Sequence, residues 1–128
     1  MTPNSINYRK KSAILELYYA DGHHAELSAE YLRVYSPSAE VKGHHPSQAV
    51  LQTGKQWVQI SKIEPIGNYA IQIHFDDNHN SGLYSWEYLW DLHQNKAEHW
   101  QAYLSALNDQ GGLRDPNQQV VTLIDPKA

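Results

Sequence analysis

Between Tyr69 and Leu107 the spacing of apolar residues changes once, and that change limits what the chain can fold into. Tyr69, Ile71, Ile73 and Phe75 alternate with Ala70, Gln72, His74 and Asp76, which is the period of a strand. From Trp86 onward the apolar positions recur at three- and four-residue steps, at Trp86, Leu89, Trp90, His93, Ala97, Trp100, Leu104 and Leu107. That is the stripe of one long helix, and a helix striped on one face must bury it, here against a sheet. Ser85 is placed to cap the helix, and Asn108 with Gly111-Gly112 ends it.

The first third of the chain reads the same way. Ala13, Leu15, Leu17 and Tyr19 alternate with Ile14, Glu16 and Tyr18, and Asp21-Gly22 supplies a tight turn, so residues His23 to Leu27 return antiparallel. Ser28 caps a short helix through Tyr31 and Leu32 that stops at Ser36-Pro37. Residues 36 to 56 carry Pro37, Gly43, Pro46 and Gly54 and read as loop, with one helical turn around Ser47 to Leu51. Trp57 to Glu64 reads as a strand stopped by Pro65, and Asp76 to Asn80 as a turn leading to a short strand from Gly82 to Ser85. The order is β-β-α, loop, β-β-β-α. The expected class is α+β, a mostly antiparallel sheet with one long C-terminal helix and a short helix packed on it. Residues 111–128 read as a C-terminal tail whose Val120 to Ile124 run adds an edge strand or stays mobile.

Composition removes several functions. The chain of 128 residues has no cysteine, so disulfides, cysteine-based zinc or iron–sulfur sites and thiol nucleophiles are excluded within it. Ten Lys and Arg against fourteen Asp and Glu, net charge -4, do not make the footprint of a nucleic-acid binder. The cluster Arg9-Lys10-Lys11 reads as a solvated run leading into a strand. No run of about 18 apolar residues is present and the N-terminal stretch has no signal-peptide core, so we expect no membrane partner and a cytoplasmic protein.

Three ordered blocks carry a resemblance. They are Tyr31-Leu32-Arg33-Val34-Tyr35-Ser36-Pro37-Ser38-Ala39-Glu40-Val41, then Ile63-Glu64-Pro65-Ile66-Gly67-Asn68-Tyr69, then Phe75-Asp76-Asp77-Asn78-His79 through Ser85-Trp86-Glu87-Tyr88-Leu89. Over residues 10–92 the chain resembles the gamma-butyrobetaine-hydroxylase-like N-terminal domain, with residues 1–110 as that domain. The resemblance implies a module found in front of carnitine-biosynthesis dioxygenases, attached to Mrp-type ATPases of iron–sulfur assembly, and alone in bacteria. In the hydroxylases it implies a zinc module with three cysteines and one histidine. Here those positions are Ser36, Ser38, Val41 and His79. A hydroxyl is a poor substitute for a thiolate and valine cannot ligate, so we expect a degenerate site, no metal and no cofactor.

Other chemistry reads weakly. His79 with Asp76, Asp77, His74 or the His44-His45 pair has suitable donor types for zinc, nickel or iron but no ligand spacing, and adjacent residues on a strand face opposite ways. Ala49 to Gln56 lacks the first Gly and the final hydroxyl of a phosphate loop. Trp86, Trp90 and Trp100 would suit a quaternary ammonium if they converged, but helical spacing assigns them to the core. No nucleophile elbow flanks Ser36, Ser38 or Ser85. The reading is a non-catalytic accessory module that docks on a protein partner, with Glu40, Lys42, His44, His45, Asp76 and Asp77 as the candidate surface. A metal-binding protein working through His79 is the alternative.

Overall fold

A computed structural model of the chain describes residues 1–43 and 45–117. His44 and the Val120 to Ile124 run lie outside the described residues.

Among the described residues the strands form two three-stranded sheets rather than one. The first has the order β1 (Ser5–Arg9), β2 (Ile14–Tyr18), β3 (His24–Ser28), and the second the order β4 (Ile60–Ile66), β5 (Ala70–Phe75), β6 (Leu83–Ser85). Every pairing is antiparallel. Two helices follow each sheet, α1 (Ala29–Val34) and α2 (Ala39–Lys42) after β3, α3 (Trp86–Gln94) and α4 (Lys96–Gln110) after β6, with a 3-10 turn at Pro46–Gln48. The fold is α+β, as its periodicities require.

The Asp21-Gly22 turn forms, with Gly22 at φ 91° and the Asp21 carboxylate accepting from the His23 amide at 3.1 Å. Both serine caps form: Ser28 Oγ accepts from the Tyr31 amide at 3.0 Å and Ser85 Oγ from the Tyr88 amide at 3.1 Å. Each satisfies an amide that the first turn of a helix leaves unpaired.

Four elements depart from expectation, the first being α2, a helix within the stretch from 36 to 56 read as loop. Arg9 belongs to strand β1, which pairs with β2 from Ser5 opposite Tyr18 to Arg9 opposite Ile14; Ile6 and Tyr8 alone give it an inward face. The strand β4 runs through Pro65, paired opposite Ile71, to Ile66. It pairs with β5 alone, so a proline without an amide hydrogen is tolerated on this edge. The long helix is two helices, broken at Asn95 with φ -110° and ψ 25°. Its side-chain amide donates to the Asp91 carboxylate at 2.8 Å, a local bond of the kind that competes with helical continuity.

Leu15, Leu17, Ala25 and Leu27 of the first sheet, Ile71, Ile73 and Phe75 of the second, and Leu32, Tyr84, Leu89 and Leu92 are buried in one core. Val34, Tyr103 and Leu107 form a smaller cluster under α4. The break at Asn95 re-aims the stripe: Leu92 and Tyr103 are buried, whereas Ala97 is exposed. The tryptophans line the rim of the core, and Trp57 is 59% exposed. Phenol groups tie the layers, with Tyr31 donating to the Leu92 carbonyl, Tyr84 to that of Leu32 and Tyr88 to that of Tyr35.

After α4, Gly111 takes the left-handed conformation that closes the helix, φ 66°. Residues 112–117 then pack on the domain. The Leu113 and Arg114 carbonyls accept from the Gly54 and Gln56 amides at 2.8 and 2.9 Å, and the Arg114 guanidinium grips the Glu30 carboxylate with two bonds of 2.8 Å. None of the described helices is long and apolar enough to cross a membrane.

Candidate functional site

The end of α1 and the turn between β5 and β6 meet at one buried cluster. The Ser36-Pro37 step stops α1 and carries the chain into α2, while the β5–β6 turn folds back through Asn78 at φ 68° and the Phe75 amide donates to the His79 carbonyl at 2.9 Å. These two turns bring Ser36, Ser38 and His79 together, with 0%, 6% and 5% of their surfaces exposed. Ser36 Oγ lies 2.8 Å and Ser38 Oγ 3.4 Å from His79 Nε2. Ser36 Oγ also accepts from the Ser38 amide at 3.3 Å. On the other side of the ring Nδ1 stands 3.5 Å from a Glu40 carboxylate oxygen; with the ring proton on Nδ1, Nε2 is free to accept from Ser36. The other Glu40 oxygen accepts from the Ser81 hydroxyl at 2.9 Å.

An ionic layer lies beside the cluster. One Asp77 carboxylate oxygen accepts from Arg33 Nε at 2.9 Å and Lys55 Nζ at 2.7 Å, and the other accepts from the His79 amide at 3.2 Å. Arg33 also donates to the Gln52 side chain at 2.9 Å. Burial alone would raise the Asp77 carboxyl, but the Lys55 hydrogen bond and the Arg33 charge outweigh it and hold the group below its ordinary range. For His79, burial first and the Arg33 charge second lower its pKa from the ordinary 6.5, with Glu40 opposing. The imidazole is therefore neutral near pH 7.

The other named positions separate. Val41 is buried, and its side chain faces an apolar groove of about 400 Å³ together with Val34, Val50, Leu51, Tyr103 and Ala106. Lys42 places its ammonium 4.4 Å from the centre of the Tyr88 ring. Glu40, His45 and Asp76 are exposed, although the Asp76 carboxylate accepts from the Gln59 amide at 3.0 Å. Asp77 is exposed as well, with its carboxylate engaged by Arg33 and Lys55. His74 bonds Glu64 on β4 at 2.7 Å and does not join the His79 cluster. The tryptophans do not converge: Trp86 donates to the Asn68 carbonyl, Trp90 packs on Tyr19 and His23, and Trp100 packs on Tyr31, Tyr103 and Arg114.

Sequence reasoning did not single out Arg33, Lys55 or Gly82 for this site. Arg33 is 6% exposed within a helix whose six residues are all buried, and a cation there requires a partner. Gly82 packs directly on Ser36: a Cβ at that position would lie 2.6 Å from Ser36 Oγ. Each makes its telling contact with a residue distant in sequence, Arg33 with Asp77 and Gly82 with Ser36, so no local pattern announces them.

Two chemistries can be measured against this geometry. The order Ser36, His79, Glu40 matches a nucleophile, base and acid in residue type, but Ser36 is fully buried and its hydroxyl lies 2.8 Å from His79 Nε2 with Gly82 packed against it. The zinc implied by the resemblance does not fit the donor set, which is one imidazole, two neutral hydroxyls and, at Val41, a hydrocarbon. Among the described residues one other group of metal-ligand types is close together, Glu16, His24 and Glu26 on the first sheet. Arg9 already spans both carboxylates there, at 3.1 and 2.9 Å.

Two three-stranded antiparallel sheets, a serine-capped helix leading into a serine–proline turn, and a buried histidine from the facing hairpin together define a small α+β domain. The model of the family described as gamma-butyrobetaine hydroxylase-like, N-terminal, matches residues 6–90, and the chain belongs to that family. Two solution NMR structures are similar over nearly the whole chain. One is 45% identical with a TM-score of 0.80 and covers 96% of this chain and 97% of its own. The other is 41% identical with a TM-score of 0.77 and covers 97% and 92%. A crystal structure of a protein of unknown function from the DUF971 family of Acidithiobacillus ferrooxidans is 40% identical, has a TM-score of 0.59 and covers 71% of this chain and 91% of its own. No curated protein matches.

Proposed function

We propose that the protein is a non-catalytic accessory module of the cytoplasm that docks on a protein partner through residues 36–56 and the 76–80 hairpin. The observation that carries this reading is the fixing of two polar turns to each other beside an apolar groove. Ser36, Ser38 and Glu40 bond to His79 and Ser81 from one side, and Arg33 and Lys55 hold Asp77 from the other. The loop that follows opens the groove between Val41, Val50, Leu51 and the α4 residues Ala102, Tyr103 and Ala106. Val50 is 54% exposed at its rim. Loops held by a rigid scaffold are where recognition concentrates, and an apolar pocket with a polar rim takes an anchoring side chain from a partner. Metal handling through His79 has less support, because no thiolate faces the ring and its Nε2 is already hydrogen-bonded.

The test is capture from native cytoplasm by the wild type and by Val50→Asp, followed by reconstitution with the purified partner. Val50→Asp changes a surface side chain and should leave stability within about 0.5 kcal/mol. A partner recovered by the wild type and lost with Val50→Asp supports the reading. Equal binding of the reconstituted partner by both proteins refutes this surface.

A further inference from the structure

The strap that follows α4 first runs beside residues 54–57 and then turns back. The Leu113 and Arg114 carbonyls accept from Gly54 and Gln56, and the Asp115 carboxylate accepts from the Trp57 indole at 3.0 Å and from the Asn117 amide at 2.9 Å. Pro116 is then against Gly54 again, where an added Cβ would lie 3.4 Å from it. Gln52, two residues before Gly54, lines the apolar groove of about 400 Å³. The sequence continues from Asn117 as Gln118-Gln119-Val120-Val121-Thr122-Leu123-Ile124-Asp125, an aliphatic run closed by a carboxylate.

Three surfaces lie near this exit, and their chemistry separates them. The cleft between Gly54, Trp57 and Pro116 is about 190 Å³ and is lined by Lys55, Asp76 and Asp77, charges that aliphatic side chains would strip of water at a cost. The free edge of β4 has its Ile60 amide bonded to the Tyr8 hydroxyl at 3.1 Å and carries Pro65, which has no amide hydrogen, so it is a poor template for a further strand. The groove offers Val34, Val41, Val50, Leu51 and Ala106, with Val50 54% exposed. The one charged side chain among its described lining residues is Lys42, whose ammonium lies over the Tyr88 ring and, among the described residues, in no ion pair.

We propose that in the free protein the Val120–Ile124 run of the same chain occupies this groove, with the Asp125 carboxylate against Lys42. The lengths agree. An extended chain advances about 3.5 Å per residue, so Val120 lies within about 10 Å of Asn117, enough to pass Gly54 and meet Gln52. From Gln52 the groove leads to Val50, whose amide donates to the Val41 carbonyl at 2.7 Å, and then to Lys42; the five steps from Val120 to Asp125 cover about 17 Å, the length of that path. Burial of the aliphatic side chains supplies the attraction, while the exposed ion pair adds little energy and sets the direction of the chain. A partner using the same groove has to displace this segment, but the contact itself needs no partner.

The experiment is NMR of the full chain, methyl-labelled at Val, Leu and Ile, with no partner added. Nuclear Overhauser contacts are expected from the Leu123 and Ile124 methyls to the Val50 methyls and the Tyr103 ring. Leu123→Asp with Ile124→Asp should abolish them and move the Val34, Val50 and Leu51 methyl resonances while leaving those of Leu15 and Ile73, in the main core, in place. Lys42→Glu and Asp125→Lys should each move the groove resonances the same way, and the two together should restore them. The proposal is overturned by an absence of contacts from Val120–Ile124 to the groove, by contacts to the β4 edge at Lys62 to Ile66 instead, by contacts that arise only between differently labelled chains in a mixed sample, or by a charge swap that restores nothing. Because the sample holds no partner, any of these results leaves the docking of a partner on the groove to be judged by its own test.

Discussion

Gly82→Ala poses a question of sign. Gly82 does not have a left-handed backbone conformation, so alanine can adopt its geometry and, through the unfolded chain alone, would stabilise the protein by about 0.4–1 kcal/mol. The surroundings oppose this. An added Cβ would meet Ser36 Oγ at 2.6 Å, Tyr84 Cε1 at 3.2 Å and Pro37 Cδ at 3.3 Å. Ser36 is fully buried and held 2.8 Å from His79, so it is not the free end of a flexible chain and cannot yield without losing that bond. Crowding a packed interior costs about 1–3 kcal/mol and a lost buried hydrogen bond about 1 kcal/mol more. Subtracting the entropic gain leaves a net loss of about 2 kcal/mol. In urea, with a slope of about 2 kcal/mol per molar, the midpoint should fall by about 1 M, and the His79 ring resonances should move with it. A Gly82→Ala protein as stable as the wild type, or more stable, would refute the close approach of the two turns on which the site description rests.

Three further outcomes are expected. Trp100→Ala should cost about 3 kcal/mol in a denaturation midpoint, because the indole packs on Tyr31 and Tyr103 and under the Arg114 guanidinium; no change would mean that the α4 face is misassigned. Arg114→Ala strips a buried carboxylate, Glu30 at 6% exposure, of its two-bonded partner. With Arg114 itself partly exposed, the loss should be about 1–2 kcal/mol, accompanied by faster hydrogen exchange at the Gly54 and Gln56 amides. The His79 pKa is lower folded than unfolded, so the unfolded chain binds the extra proton and stability falls as pH drops below the ordinary 6.5 toward the folded value. Chemical denaturation across that range should show a shallower slope for His79→Gln.

The sequence makes an element legible when its signal is local. Asp21-Gly22, Ser28 and Ser85 each act on amides within three residues, and the alternation from Tyr69 to Phe75 survives because one face of β5 is buried. The misreadings mark places where distant neighbours override local preference. Pro65 ends a strand in isolation, yet continues one on a sheet edge where no amide hydrogen is needed. The 86–107 stripe looks continuous because both helices bury apolar residues at similar spacing, while the break is confined to the backbone of Asn95, whose side chain bonds Asp91. The division into two sheets leaves no mark on any one strand, since each strand alternates the same way whichever partner it finds.

The site follows the same rule with higher stakes. Ser36, Ser38, Val41 and His79 could be named together through the resemblance, but what holds them lies elsewhere. Arg33 reads as an ordinary helix cation until its burial and its bond to a carboxylate 44 residues away are known, and Gly82 reads as a turn residue until Ser36 is seen against it. Both are long-range consequences of bringing two turns into contact, a contact that costs chain entropy to close and is held here by hydrogen bonds, ion pairs and one missing methyl group. Substitutions at Gly82 and Arg33 should therefore disturb the 36–42 segment more than substitutions of its exposed residues, Glu40 excepted, because Glu40 accepts from Ser81 across the two turns and stands beside His79.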